Sequence, residues 1–293
     1  MTIAPTVASK TYDKTTAVTV SGATLGNLVG TENFTTSGTG VLNSANAGSR
    51  TALLSFTYNT PVNGALAANY DLPTSTTVAV NVLPKGLAVT GSSALNKTYD
   101  GTNAVTTTGH GGLPSGASGV IAGDTVNLAG APAYQFSDVL RNASGVVQSQ
   151  AIVQGTLALA GDSASNYALN WTNGSGTINP IALSLVTPTV SSKTYDGNTQ
   201  ATVAAAGTPT GYLGTQTLSI TPLAQFADAN AGSSKAYTVS YQLADGTNGG
   251  KATNYSLADV TVATGGSNTV AIERKVLGLT GLVVSDKIYD GVT

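Results

Sequence analysis

Cysteine is absent, histidine and tryptophan occur once each, and only 9% of the 293 residues are charged. Each scarcity removes a kind of chemistry. Without Cys there is no disulfide framework, thiolate metal site or cysteine nucleophile, and the lone His110 cannot build a multi-histidine zinc site. The 12 Lys and Arg form no basic run and are balanced by 14 Asp and Glu to a net charge of −2. That argues against nucleic acid as a partner, because phosphate recognition needs clustered cations. No apolar run of about 18 residues is available to span a bilayer, so no membrane insertion is expected. The opening residues Met1–Pro5 do not read as a signal peptide.

What is present is a core-forming fraction of 41% hydrophobic residues, 35 Gly and a repeat. Lys10-Thr11-Tyr12-Asp13 recurs as Lys97-Thr98-Tyr99-Asp100, Lys193-Thr194-Tyr195-Asp196 and Lys287-Ile288-Tyr289-Asp290, with Tyr-to-Tyr steps of 87, 96 and 94 residues. Gly101, Gly197 and Gly291 follow the Asp, whereas the first copy has Lys14. A period near 90 residues is that of a domain. Three further landmarks keep step. Asn69-Tyr70, Asn166-Tyr167 and Asn254-Tyr255 are each followed two residues later by Leu; Asn46-Ala47-Gly48 matches Asn230-Ala231-Gly232, with a looser copy from Asn142 to Gly145; and Pro84, Pro180 and Arg274 stand 15 residues before a repeat Tyr. These place the domains at 1–83, 84–179 and 180–273, with a fourth opening at 274–293. Matching Thr2-Ile3-Ala4-Pro5 to Thr177-Ile178-Asn179-Pro180 leaves only 7 residues from Pro5 to Tyr12, so the N-terminal strand of the first domain is expected to be truncated or altered.

The hydrophobic pattern has period two. Ala52, Leu54, Phe56 and Tyr58 alternate with other residues, as do Tyr237, Val239, Tyr241 and Leu243, which predicts half-buried strands. Gly-rich stretches such as Gly112–Gly116 read as loops. Asp-Gly after a strand predicts a hairpin turn, with returning strands at Thr16–Val20, Asn103–Thr106 and Thr199–Val203. Lys14 would then be strained wherever the turn needs positive φ. The fold class expected is all-β: an elongated tandem array of small two-layer β domains of immunoglobulin-like size, sandwich or β-grasp-related.

The phased Lys-Thr-Tyr-Asp-Gly motif with its Asn-Ala-Gly and Asn-Tyr-x-Leu landmarks resembles the YDG-type and related MBG repeats of filamentous-haemagglutinin-like adhesins and giant bacterial surface proteins. The resemblance implies stalk or spacer modules at the extracellular bacterial cell surface, with no catalytic residues to transfer. Expected partners are other repeats of a larger chain, neighbouring copies through edge strands, and a glycan or surface ligand.

Candidate chemistry is weighed on this footing. His110 lies between Gly109 and Gly111, without the rigid surroundings a nucleophile and base require, so no enzyme and no catalytic residue is expected. A motif repeated four times argues for a role in the fold, and the structural assignments are Lys10, Tyr12, Asp13, Lys97, Tyr99, Asp100, Gly101, Lys193, Tyr195, Asp196 and Gly197, with Asn69, Tyr70, Asn166, Tyr167, Asn254 and Tyr255. Trp171 is the one ligand-contact candidate and the basis of an alternative reading as a glycan- or surface-binding module. No cofactor is implied; calcium at domain junctions, through acids such as Asp138, Asp228 or Asp286, stays open on ligand type. So does a Lys–Asn isopeptide link pairing Lys97 with Asn166 and Lys193 with Asn254, against the plainer reading of solvated Lys and locally bonded Asn.

Overall fold

A computed structural model describes residues 2–105, 109–113 and 119–292. Thr106 of the second returning strand and 114–116 of the Gly112–Gly116 loop lie outside the described residues. The fold is all-β. Among the described residues, helical structure is limited to three single 3-10 turns, Ala67–Asn69, Ala164–Asn166 and Ala252–Asn254, each ending on the Asn of an Asn-Tyr pair. The chain divides into two compact units: Met1–Lys97, Thr102–Asn142 and Val147–Thr177 form one, and Thr98–Gly101, Ala143–Val146 and Ile178–Thr293 the other.

In the first unit, residues 2–83 form a six-stranded sheet in the order Thr2–Val7, Ala17–Gly26, Asn33–Leu42, Gly48–Val62, Ser75–Leu83, Lys10–Thr11. Its two edge strands are consecutive in the chain, joined only by Ala8 and Ser9. A flat sheet of six strands would hold those edges about 24 Å apart at ~4.8 Å per strand, whereas two residues reach only about 10 Å from strand to strand. The sheet therefore curls. Ala52, Leu54 and Phe56 point into the curl and are buried, while Leu53 and Ser55 between them are exposed, as period two requires. Each large side chain so buried contributes about 1.5–3 kcal/mol.

The Lys-Thr-Tyr segment does not form the incoming arm of a hairpin. It pairs in parallel with the last strand of its own repeat, Lys10 opposite Val82 and Lys193 opposite Ile272. The Tyr backbone then closes the pairing: the N–H groups of Tyr12, Tyr99 and Tyr195 donate to the carbonyls of Leu83, Asn179 and Glu273, each at 2.8 Å. Those acceptors are the residues immediately before Pro84, Pro180 and Arg274. The returning strand pairs antiparallel with the strand before the motif, Val7 opposite Val20 and Val190 opposite Val203, with the same register shift at Thr6/Val7 and Thr189/Val190, and on its other side with a later strand, Ala17 opposite Val41 and Gln200 opposite Gln225. This register aligns Pro5-Thr6-Val7 with Pro188-Thr189-Val190, not with the residues before Pro180. Thr2–Val7 is thus an ordinary strand whose counterpart is 185–190.

After the Pro, the next segment pairs in parallel with the Asn-Tyr strand: Lys85–Thr90 with Tyr167–Thr172, in register Lys85 opposite Tyr167 and Leu87 opposite Leu169, and Ile181–Ala182 with Tyr255–Ser256. Leu87 and Leu183 are buried by this arrangement.

Candidate functional site

The repeat motif first builds a loop. An ammonium offers three donors, and the motif supplies acceptors at fixed offsets. Lys10 Nζ donates to the Thr15 and Ala17 carbonyls (3.0 and 2.9 Å), Lys97 Nζ to those of Thr102 and Ala104 (2.8 and 3.2 Å), and Lys193 Nζ to those of Asn198 and Gln200 (2.8 and 2.9 Å). The Asp completes it: Asp13 Oδ1 lies 2.8 Å from Lys10 Nζ and accepts from Thr15 N–H, and Asp196 Oδ1 lies 2.7 Å from Lys193 Nζ and accepts from Asn198 N–H. Burial pushes the Asp13 carboxyl up, but bonds from Lys10 and Thr15 outweigh it and the group lies below its ordinary value. At Asp196 the Lys193 bond leads and lowers it likewise. Asp100 holds the same place in the second copy, ahead of Gly101 at φ 79°; Gly197 has φ 83°, and Lys14 adopts φ 68°. The turn in the first copy keeps its shape despite the side chain.

The Tyr of each of the first two motifs points the other way, toward the following repeat. Tyr12 stacks edge-on against Tyr167 with centroids 5.5 Å apart, and both hydroxyls donate to Asp124 Oδ2, at 2.9 and 2.7 Å. Lys14 Nζ reaches Asp124 Oδ1 at 2.9 Å and the Ala122 carbonyl at 3.1 Å. Beside them Ala47 N–H donates to Asn166 Oδ1 at 2.8 Å, and Asn166 Nδ2 donates to Asn46 Oδ1 at 3.2 Å. The three landmarks thus converge on one joint: Lys-Thr-Tyr-Asp and Asn-Ala-Gly from one repeat, Asn-Tyr from the next. All of these residues belong to the first unit, where Tyr12, Leu54, Val82, Leu87 and Tyr167 share one core.

The electrostatics follow from that packing. A buried carboxylate must be paired and hydrogen-bonded. Burial alone would raise Asp124, but Lys14, Tyr167 and Tyr12 hold it below its ordinary value. Burial, reinforced by Asp124, pushes Tyr12 up to about 12, and burial raises Tyr167.

A second joint in the other unit repeats the plan with different chemistry. Tyr99 meets Tyr255 edge-on at 6.0 Å, Gln216 Nε2 donates to Tyr99 Oη at 3.2 Å, and Tyr255 Oη donates to Gln216 Oε1 at 2.5 Å. Ile121 N–H donates to Tyr167 Oη and Leu213 N–H to Tyr255 Oη, at 2.9 and 3.1 Å. Gln216 therefore stands where Asp124 does, and Gly101 where Lys14 does: neutral where the first joint is charged. A β-carbon at Gly101 would lie 3.1 Å from Leu213.

The YDG domain family model matches the chain three times, at residues 1–78, 83–175 and 179–262. The chain belongs to the YDG domain family. No match was found among curated proteins.

Of the residues singled out in sequence, Tyr12, Asn166 and Tyr167 meet at the first YDG joint and Tyr99 and Tyr255 at the second; Asn254 is fully buried. Asn69 is exposed, and Tyr195 is the one repeat Tyr of the three modules that is exposed. Of the residues considered for an isopeptide link, Lys97 and Lys193 are engaged by their own loops, and Asn166 by Asn46 and Ala47. Trp171 is half-buried on the Tyr167–Thr172 strand, with Nε1 donating to Asn173 Oδ1 at 2.9 Å; a β-carbon on Gly91 would lie 2.8 Å from its ring. Asp228 accepts from Asn230 N–H and pairs with Lys235. Among the described residues no group of three or more His, Cys, Asp or Glu comes together.

Sequence reasoning missed the acceptor that organises each YDG joint. A signal for it exists. Val29-Gly-Thr-Glu32, Ile121-Ala-Gly-Asp124 and Leu213-Gly-Thr-Gln216 are one short recurrence, and each is a turn closed from the last N–H to the first carbonyl, at 3.0, 3.0 and 3.1 Å.

Proposed function

We propose that the chain is a run of stalk or spacer modules of an extracellular bacterial adhesin or surface filament protein, and that its task is mechanical. The observation that carries this reading is the joint: the recurring Lys and Asp close the motif loop within a module, and the recurring Tyr and Asn-Tyr residues join Tyr12 to Tyr167 and Tyr99 to Tyr255 across module boundaries. Closure by parallel pairing of an early strand with the last strand has a mechanical consequence. Tension on the two ends of such a module loads that pair lengthwise, so its hydrogen bonds and the side chains around it must yield together. The low charge leaves little repulsion between adjoining modules.

Stretching single molecules of the full chain tests the proposal. We expect three force peaks of similar height, each releasing on the order of 30 nm of chain at about 3.6 Å per residue. Extension without peaks would refute a load-bearing role. Protease shaving of intact cells, with loss of the YDG modules from the surface, checks the location separately.

A further inference from the structure

The three modules share one strand frame, and the third departs from it at a single place. Leu42, Tyr134 and Phe226 donate their N–H groups to the carbonyls of Thr16, Asn103 and Thr199, and they stand opposite Ala52, Ile152 and Tyr237. Those residues in turn stand opposite Val78, Gly174 and Val262 on the last strand of each module. From there to the carbonyl that receives the repeat Tyr N–H is five residues in the first two modules, Val78 to Leu83 and Gly174 to Asn179, but eleven in the third, Val262 to Glu273. The third module therefore carries six extra residues in its last strand.

The extra length leaves the sheet as a loop over residues 263–271, and one side chain fixes its shape. Asn268 Nδ2 donates to the Ala263 and Lys235 carbonyls, both at 2.9 Å, and Asn268 Oδ1 accepts from Val270 N–H at 3.1 Å, so the two ends of the loop are clamped to each other and to the neighbouring strand. Across from the loop runs Thr187–Val190. Between the two walls opens a cleft of about 650 Å³, a size typical of small-molecule sites. Buried residues floor it: Pro188, Val190 and Tyr237, whose hydroxyl donates to the Pro188 carbonyl at 3.1 Å. The first two modules have Ala52 and Ile152 in the place of that ring.

The chemistry of the cleft is uniform. Its rim carries hydroxyls from both sides, Thr187 and Thr189 on one wall and Thr264, Ser267 and Thr269 on the other, all on exposed residues. Among the described residues none that lines it is charged. A carboxylate, phosphate or ammonium entering it would give up water without gaining a counter-charge. A hydroxyl both donates and accepts, so this rim suits a ligand whose own groups do both, and the buried floor suits an apolar face on the same ligand. A neutral sugar has both, in its hydroxyls and its ring C–H groups. The cleft is built inside the module, from residues 187–270 alone. The counterparts of its walls and floor in the first module, Val7, Ala52 and Val78, make none of the hydrogen bonds or ring contacts of that module's joint.

We infer that the third module binds a short neutral saccharide in this cleft, with the sugar's C–H face on Val190 and Tyr237 and its hydroxyls on the threonines of the two walls. The inference goes beyond the mechanical task. One module of three, alike in frame, carries an added loop at the cleft, and a binding site is commonly a loop grafted on a rigid scaffold. Asn268 acts as a positioning residue, since its own polar groups are spent on holding the loop.

Titration of the full, isotope-labelled chain with lactose, maltotriose and chitotriose, followed through its backbone amide NMR signals, tests this. At least one of them is expected to shift the signals of residues 187–190 and 262–270 with a dissociation constant on the order of 1 mM. Sialyllactose, which brings a carboxylate, is expected to bind about tenfold more weakly than the best neutral sugar. Deleting Ala263–Asn268 gives the third module the spacing of the first two and should abolish the binding. Thr189→Val combined with Thr269→Val removes one hydroxyl from each wall at exposed positions and should weaken it about fivefold or more with an unchanged melting temperature; this pair decides alone if the deletion does not fold. Trp171→Ala should leave it unchanged. Failure of all three neutral sugars at about ten times that concentration overturns the inference, as does sialyllactose binding as well as the best of them. A threonine pair that binds like the native chain, or loss of binding in Trp171→Ala, overturns it by placing the sugar elsewhere. None of these outcomes alters the force peaks of single chains, so the stalk reading stands or falls separately.

Discussion

Lys14 occupies backbone at φ 68°, a conformation that costs a side-chain-bearing residue about 1 kcal/mol or more. In the sequence it is visible as the one departure from Asp-Gly among four copies, and the strain is legible there too. What offsets the strain is not, because Asp124 lies in another module and no local pattern ties the two positions together. The second joint shows the alternative solution, with Gly101 and Gln216 in those places. This sets up a double-mutant test. Lys14→Gly relieves the turn but strips a buried carboxylate of its cation, and Asp124→Gln leaves Lys14 without its counter-charge; each is expected to lower the stability of the first unit by about 1–3 kcal/mol in urea denaturation. The double variant recreates the neutral pair and should recover much of the loss, a coupling of about 1–2 kcal/mol. Additive losses would show that the two positions do not act as a pair.

At the scale of strands and turns, period two located the buried faces correctly, and Ala52, Leu54, Phe56, Tyr237 and Val239 are all in the core. Strand partners were less legible. Asp-Gly does make a turn, but the hydrogen bonds of the preceding Lys-Thr go to the end of the module, since a short segment beside a turn carries no record of which distant edge it meets. The alignment of Pro5 went astray for the same reason: residue identity favoured Pro180, and only the shared register shift at Thr6/Val7 and Thr189/Val190 reveals Pro188 as its counterpart. Turn glycines differ in what they tolerate. Gly30 (φ 57°) has open space where a β-carbon would go, whereas at Gly130 (φ 82°) that carbon would lie 2.3 Å from the Thr156 carbonyl oxygen. Gly30→Ala is expected to cost about 1 kcal/mol and Gly130→Ala about 2–4 kcal/mol by urea denaturation; equal costs would mean that the backbone at Gly130 yields freely.

At the scale of a whole unit, the first joint sets a pH range. The folded state holds Asp124 below its ordinary 3.8, so the stability it contributes is present above that value and is lost as pH falls through the still lower folded one. Tyr12 behaves oppositely: its folded value is pushed up to about 12 from 10.0, so its contribution is complete below pH 10.0 and disappears as pH rises toward 12. Thermal melting of the first unit should therefore be level across neutral pH and fall at both extremes, and Tyr12→Phe should remove part of the alkaline fall while leaving most of the acid one. An unchanged alkaline limb in that variant would place the titrating group elsewhere. The all-β class, the module period and the positive φ after each repeat Asp were determined by the sequence alone, because side-chain alternation, motif spacing and the steric demands of a turn are local and survive reading in one dimension. That the repeated Tyr, Asn-Ala-Gly and Asn-Tyr landmarks form one joint, and that Asp124 or Gln216 sits at its centre, was decided only by the tertiary structure. The curl of each sheet and the parallel closure of its ends bring together residues from neighbouring modules that nothing local in the chain associates.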